Sequence, residues 1–396
     1  MQIRKLKPEE NVHYKLMCSV CFNMSSADRY AWLEKPEDHT EGYENTWGAF
    51  DADGRLISAM VALPVEIMMN NSPAKAGLIC GVTTLPEARN SRCVRKMFEI
   101  IMPQMAKDGI VYSMLYPFSF PFYRKFGYEH GFTRQRYTFP MAELARYPYP
   151  SGMKVYNKGD NWTDIAKVYT AFIQDKNIAW VRGDKEWKNI LKRDPHQNRE
   201  FTYIHYNATG EPDAYILYEG HVNDDDKIMY IRELAWTSKD ALNAMLGFVH
   251  GLRSEYENVS WATPEGVDFF SLIDNSWNAE QKMDAIIMSR VLDVHSALVH
   301  LDTPNGEGSV AIKVTDNFLA SNTGIYSVLW EDEKLCVETT NQPPDIEMDI
   351  ETLAQLVTGY LTPDQAAYRK DVTIHSRQDK LSALFQKKNL YLMEHF

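Results

Sequence analysis

Val82-Thr83-Thr84-Leu85-Pro86-Glu87-Ala88-Arg89-Asn90-Ser91-Arg92-Cys93-Val94-Arg95 is the stretch on which the reading of this 396-residue chain turns. Immediately before it, Leu78-Ile79-Cys80-Gly81 begins an apolar run that continues to Thr84 and has the length of a buried strand. Pro86 to Arg92 then breaks the run with turn-forming and basic residues. After the break, Val94, Met97, Phe98, Ile101, Met102 and Met105 repeat with the 3.6-residue period of a helix that buries one face. Lys107 and Gly109 supply its stop, and Pro103 predicts a kink before the last turn. Ile110 to Tyr116 reads as the next strand, and Pro121 to Phe126 as a short helix ended by Gly127. The order is therefore strand, basic loop, helix, strand, short helix.

That order has a chemical consequence. A helix N-terminus reached through an open loop presents unpaired N–H groups and the positive end of a dipole, which suits a pyrophosphate. Arg89, Arg92 and Arg95 add full charges. Three arginines on a loop are by themselves ordinary solvated side chains; the frame around them gives the anion-binding reading its weight.

Upstream, Gln2 to Leu6 alternates as a strand and Pro8-Glu9-Glu10 opens a helix running towards Cys21. Thr46 to Phe50 and Leu56 to Val65 flank Asp51-Ala52-Asp53-Gly54, a hairpin turn. Downstream, Tyr147-Pro148-Tyr149-Pro150-Ser151-Gly152 has linker composition. Beyond it the plan recurs: a helix at Trp162 to Phe172, strands at Phe201–Tyr206, Ala214–Glu219 and Lys227–Trp236, and a helix at Ser238 to Leu252. Here Trp236-Thr237-Ser238-Lys239 passes from strand to N-cap with no basic loop, so this copy builds no anion cradle. From Val291 the pattern becomes short strands and two helices, a small α+β unit. The final Tyr391-Leu392-Met393-Glu394-His395-Phe396 is too aromatic for a free tail and is expected to dock.

Composition narrows the functions. Apolar residues at 44% and charged residues at 24% describe a folded chain, and its length calls for two or three cores. A net charge of -12 disfavours nucleic acid and favours cationic small molecules or basic peptides as partners. Cys18-Ser19-Val20-Cys21 has no second pair to complete a zinc site, so no metal is expected, and the five cysteines read as reduced thiols. With no apolar leader and no membrane-length run, the expectation is a cytoplasmic protein without a membrane partner.

The segment Val82 to Arg95, together with Phe122-Tyr123-Arg124-Lys125-Phe126-Gly127-Tyr128, resembles the acetyl-CoA signature of the GNAT superfamily, and within it the Eis (enhanced intracellular survival) branch. The resemblance covers nearly the whole chain. It implies an α+β protein with tandem GNAT folds, the second degenerate, followed by a sterol-carrier-protein-like domain: 1–150 with the acetyl-CoA site, 151–285, and 286–396 entered through Arg290-Val291-Leu292-Asp293-Val294. It further implies that Val82, Thr83 and Thr84 pair with the pantetheine arm, and that Asn90, Ser91, Arg92, Cys93, Val94 and Arg95, with Arg89, hold the pyrophosphate. Phe118 and Ser119 would flank the thiol, Tyr123 would be the catalytic acid, and the terminal carboxylate of Phe396 the base. A homohexamer is implied as well. Where the family loop usually has glycine this chain has Arg92, which brings a Cβ penalty at positive φ and is expected to turn outward or to meet a phosphate.

The chemistry fits those groups. Amide formation from a thioester needs a neutral amine, a donor for the oxyanion and an acid for the thiolate. A tyrosine with a reference pKa near ~10 stays protonated at neutral pH. An α-carboxylate, at about 3.5, is a weak base unless burial raises its basicity. His130 and His395 are alternative bases; Glu394 would reinforce attraction of a cation; Trp32, Trp47 and Phe122 are candidates to line an amine pocket. The expected activity is acetyl transfer to a primary amine of an aminoglycoside- or polyamine-like cation or of lysine. The competing expectation is a catalytically silent CoA-binding scaffold.

Overall fold

The computed structural model describes residues 1–22, 42–192, 195–222, 227–394 and 396. Trp32 and His395 lie outside them. Among the described residues, twelve of the first thirteen strands, all but β8 (Lys176–Asn177), form one sheet: β1 (Gln2–Lys5), β2 (Thr46–Phe50), β3 (Leu56–Met69), β4 (Ser72–Thr84), β5 (Tyr112–Leu115), β6 (Glu129–Pro140), β7 (Met153–Tyr156), β9 (Glu200–Tyr206), β10 (Pro212–Val222), β11 (Lys227–Trp236), β12 (Asn258–Thr263) and β13 (Glu280–Val291). Their spatial order is β1-β2-β3-β4-β5-β13-β6-β12-β11-β10-β9-β7.

Two strands join what the sequence reading kept apart. β13, the last strand of the second unit, inserts antiparallel between β5 and β6 of the first, and β6 in turn pairs with β12. The boundary expected between 285 and 286 falls inside β13, so the second unit runs on to Val291. A cut there would break the ladder that pairs Met288 with Leu115 and Val291 with Tyr112.

The helix expected after the basic loop runs from Cys93 to Lys107 and buries Met97, Phe98, Ile101, Met102 and Met105. Pro103 lies inside it without ending it. The third unit carries β14 (Gly308–Thr315), β15 (Gly324–Glu331), β16 (Lys334–Thr339), β17 (Ile346–Asp349) and β18 (Thr373–Ile374) in the order β16-β15-β14-β17-β18, with helices at Ile350–Val357 and Gln378–Leu384.

The three units share one interior. Leu78 and Phe132 of the first, Ile178 and Trp180 of the second and Leu353 and Leu356 of the third belong to a single buried cluster. Asn177 ties them with polar bonds: its Oδ1 accepts from the Asn70 amide (2.8 Å) and its Nδ2 donates to the Thr358 carbonyl (3.0 Å). Arg290, at the end of β13, is fully buried, ion-pairs with Asp316 of the third unit at 2.6 Å and donates to the Phe126 carbonyl. Gly127 makes room for it, because a Cβ there would meet the Arg290 guanidinium.

Candidate active site

β4 and β5 are parallel neighbours only from Ala76–Tyr112 to Ile79–Leu115. Beyond Ile79, β4 continues to Thr84 with β3 as its strand partner among the described residues, so its other edge opens into a V, reached by the Tyr14 hydroxyl, which donates to the Gly81 carbonyl at 3.3 Å, and the Cys21 thiol, which donates to the Thr84 carbonyl at 3.5 Å. Gly81 bends the strand at that point with φ +57°, and the Tyr14 hydroxyl occupies the space a Cβ would need. Thr83 and Thr84 turn their side chains back to β3, where Thr83 Oγ1 donates to the Ala59 carbonyl at 3.5 Å and Thr84 Oγ1 meets Ser58 Oγ at 2.8 Å. What Val82 to Thr84 offer the open V is therefore backbone.

The Cys93–Lys107 helix starts at the mouth of this V. Its N-cap is Arg92, with φ 59° and ψ 25°, and no side chain caps the first turn. The second unit is different: Ser238 caps its corresponding helix by accepting from the Ala241 amide at 3.1 Å. Of these two helices it is the first unit's that presents an uncapped N-terminus, as its basic loop implied. Arg92 adopts the left-handed conformation a glycine would supply, so its substitution for glycine adds strain of about 1 kcal/mol while the backbone path is kept. Arg92→Gly should accordingly leave acetyl-CoA affinity within about threefold, whereas Arg92→Val, β-branched and disfavoured at positive φ, should weaken it roughly tenfold by calorimetry.

The loop residues do not all stay where the resemblance put them. Arg89, Asn90, Ser91 and Arg92 are exposed, and Asn90 also has positive φ (67°). Ser91 bonds the Ala88 carbonyl and sits 3.0 Å from the Cys93 sulfur, which is buried. Arg95 turns away: its guanidinium lies 5.4 Å from the Phe126 ring and 5.5 Å from that of Phe318, and pairs weakly with Glu99 at 3.9 Å. Phe318 of the third unit offers a cation–π partner that the sequence of the first unit alone does not reveal.

Tyr123 sits in the short Phe120–Arg124 helix, whose N-cap is Ser119. Its ring is buried, with the rings of Phe122 at 5.1 Å, exposed Phe118 at 5.4 Å and Tyr128 at 6.2 Å. Burial, followed by the neighbouring Tyr128 phenol, raises its pKa, so it keeps its proton at neutral pH. The Tyr128 hydroxyl is tied to Ser113 Oγ at 2.7 Å, while that of Tyr123 has no hydrogen bond among the described residues. Arg290 on the Phe126 carbonyl and the Arg124–Glu129 pair (2.8 Å) fix the end of this helix.

The C-terminus docks, as its aromatic composition suggested. Leu390, Tyr391 and Leu392 are fully buried. Glu394 pairs with Arg182 at 2.7 Å, and Arg182 also pairs with Glu233; the side chains of all three are at most 9% exposed. Glu394 is therefore spent on anchoring the tail and is not available to attract a cationic substrate. Beyond it, the Phe396 ring lies 5.0 Å from that of Tyr116 and 6.5 Å from that of Trp180, and the Tyr116 hydroxyl donates to the Glu394 carbonyl at 2.6 Å. Tyr116 and Tyr123 belong to the same segment after β5, which brings the chain's last residue to the first unit. Burial, moderated by Arg134 and reinforced by Glu394, pushes the Tyr116 hydroxyl up to about 12.

Of the three other candidates, Phe122 lies beside Tyr123 and the other two have surroundings of their own. His130 Nε2 faces Thr133 Oγ1 at 2.9 Å under the Tyr360 ring, and burial lowers its pKa, which makes it a packed neutral imidazole. Trp47 lines a cavity of ≈ 490 Å³ with Glu66, Glu186 and Trp180, the last of which also meets the Phe396 ring. Phe122 packs on Phe118 and Phe126. Tyr116, Arg134, Trp180 and Arg182 were not singled out from the sequence; Arg134 and Arg136, two charges alternating within Phe132 to Phe139, are the signal that was present. Among the described residues no cluster of His, Cys, Asp and Glu has metal-binding geometry, and no helix is long and apolar enough to cross a membrane.

Family comparisons agree with this architecture. Residues 2–131 and 179–291 each match an acetyltransferase (GNAT) domain model, and residues 294–393 match a sterol carrier protein domain model. The chain is an acyltransferase of the GNAT class, with two acetyltransferase domains and a sterol carrier protein domain, and such domains imply acetyl-CoA as co-substrate. Within that class it has the Eis-like fold. It is similar in structure to a GCN5-related N-acetyltransferase from Anabaena variabilis (20% identity, TM-score 0.88, all of both chains) and to Eis1 from Mycobacterium abscessus (17%, 0.83, all of both chains). It is also similar to a probable N-acyltransferase from Enterococcus faecalis (20%, 0.83, 98% of this chain and 97% of that one). No curated protein matches it in sequence.

Proposed function

We propose that the protein transfers the acetyl group of acetyl-CoA to a primary amine, of an aminoglycoside- or polyamine-like small molecule or of a lysine. The backbone of Val82 to Thr84 pairs with the pantetheine arm, and the uncapped helix start at Arg92 to Arg95, with Arg89, takes the pyrophosphate. Phe118 and Ser119 flank the thioester, Tyr123 donates to the departing sulfur, and the carboxylate of Phe396 accepts the amine proton. The observation that carries this reading is the pairing of an open β4–β5 edge and uncapped helix with a chain terminus docked on Tyr116, on the segment that bears Tyr123.

A terminal carboxylate can serve as base only while it is terminal. Appending a few residues after Phe396 should reduce kcat by about 10²-fold or more while the acetyl-CoA Kd, read by calorimetry, stays within about twofold. Full turnover by the extended chain would remove the terminus from the mechanism. A silent CoA-binding scaffold would bind acetyl-CoA and acetylate none of the amines.

A further inference from the structure

Between β6, the β10–β12 ribbon and the docked tail lies a cavity of ≈ 320 Å³ whose lining includes Arg134, Arg136, Glu219, His221, Arg232 and Met393. Its charge is one-sided. Among the described residues Glu219 is the only carboxylate in the lining, and it is already paired with Arg232 at 2.5 Å and with His221 at 2.7 Å. Arg232 has Glu200 as a second partner at 3.3 Å. That leaves Arg134 and Arg136, two residues apart on one face of β6.

Arg134 is 9% exposed, and among the described residues neither its Nε nor its Nη2 has a hydrogen-bond partner. Arg136 makes one long contact, Nη1 to Ser260 Oγ at 3.4 Å; burial and then the charge of Arg134 disfavour its cationic form, with Asp284 opposing them. A buried guanidinium with unmet donors beside a second guanidinium is a costly arrangement for a fold to keep. A carboxylate or phosphate in the cavity would meet those donors in the forked geometry that guanidinium prefers.

The cavity lies beside the proposed reaction centre. Met393 of the tail lines it, and Arg134 is close enough to Tyr116 to draw its pKa down, while the Tyr116 and Phe396 rings lie 5.0 Å apart. We infer that Arg134 and Arg136 form an anion subsite for the acyl acceptor, so that the substrate is an amine which also bears a carboxylate or phosphate, its amine directed to the terminal residue. This rests on the acetyl-transfer reading, and it selects within it: free lysine qualifies, whereas polyamines and aminoglycosides lack the anion. The net charge of -12 pointed to a cation, but the field inside a cavity is set by the side chains that line it.

The test uses amines matched except for the anion: lysine against cadaverine, and phosphoethanolamine against ethanolamine. Acetyl-CoA-dependent thiol release is measured with the full-length protein, with Arg134→Gln and, because Arg134 is buried, with the part-exposed Arg136→Gln. The expected result is a kcat/KM for lysine or for phosphoethanolamine about tenfold or more above that of its anion-free partner, with the ratio falling about tenfold in either variant. The pair that shows the preference identifies carboxylate or phosphate. Equal turnover within both pairs, or ratios unchanged in Arg136→Gln, would overturn the subsite while leaving acetyl transfer in place. If no amine is acetylated, calorimetry with lysine and cadaverine separates the two claims. Lysine-selective binding that Arg134→Gln abolishes supports the subsite and rejects the transfer reading; no selectivity rejects both.

Discussion

Replacing Tyr123 by phenylalanine is expected to lower kcat by about 10²- to 10⁴-fold, the range that a positioned general acid contributes. The acetyl-CoA Kd should stay within about twofold and Tm within about 2 °C, because among the described residues no hydrogen bond engages the hydroxyl and the ring keeps its place among Phe118, Phe122 and Tyr128. Burial holds the phenol protonated, so it can supply a proton to sulfur as negative charge develops without ionising beforehand. The split between kcat and Kd is the informative part. A loss confined to Kd would make Tyr123 a binding residue, and a large drop in Tm would make it a core residue.

The second large effect is on the tail. Arg182 holds two buried carboxylates, Glu233 and Glu394, and the hydroxyl of Tyr391 approaches Glu233 at 3.4 Å. Arg182→Leu removes the cation that pairs with both carboxylates and leaves them in the interior, a change that costs about 3–5 kcal/mol when a buried pair is broken. Burial already works against the charge of Glu233, and Arg182 is what holds its pKa low. The expected outcome is a Tm lower by several degrees and loss of turnover, because Met393 to Phe396 lose their anchor. Glu394→Gln should be milder in stability, since Arg182 keeps Glu233, yet should still impair turnover by loosening the terminus. Tm and kcat measured side by side on the two variants check this.

How much of this was legible in the sequence depends on where the governing contacts lie. The strand–loop–helix frame from Leu78 to Lys107 was readable because its apolar period, its loop chemistry and its stop signal are local. The contrast between the two helix starts was readable for the same reason: Ser238 is itself a capping residue and Arg92 is not. β6 and β13 were missed. In β13 the first half, Glu280 to Asp284, is polar and largely exposed and gives no apolar alternation, and in β6 the charges of Arg134 and Arg136 interrupt it. Both strands owe their place to partners more than a hundred residues away, so pairing rather than local pattern decides them. The domain cut inside β13 was a consequence of that. Arg95 and Glu394 went to partners in other units, Phe318 and Arg182, for the same reason.

Acetyl transfer itself is tested most directly by incubating the full-length protein with acetyl-CoA and single amines, following free thiol and identifying the acetylated amine by mass spectrometry. The prediction is amine-dependent thiol release, stoichiometric with N-acetylated product, that falls to background in Tyr123→Phe. Thiol release no greater than that of Tyr123→Phe with every amine, in a protein that still binds acetyl-CoA, would contradict the account and leave a CoA-binding scaffold.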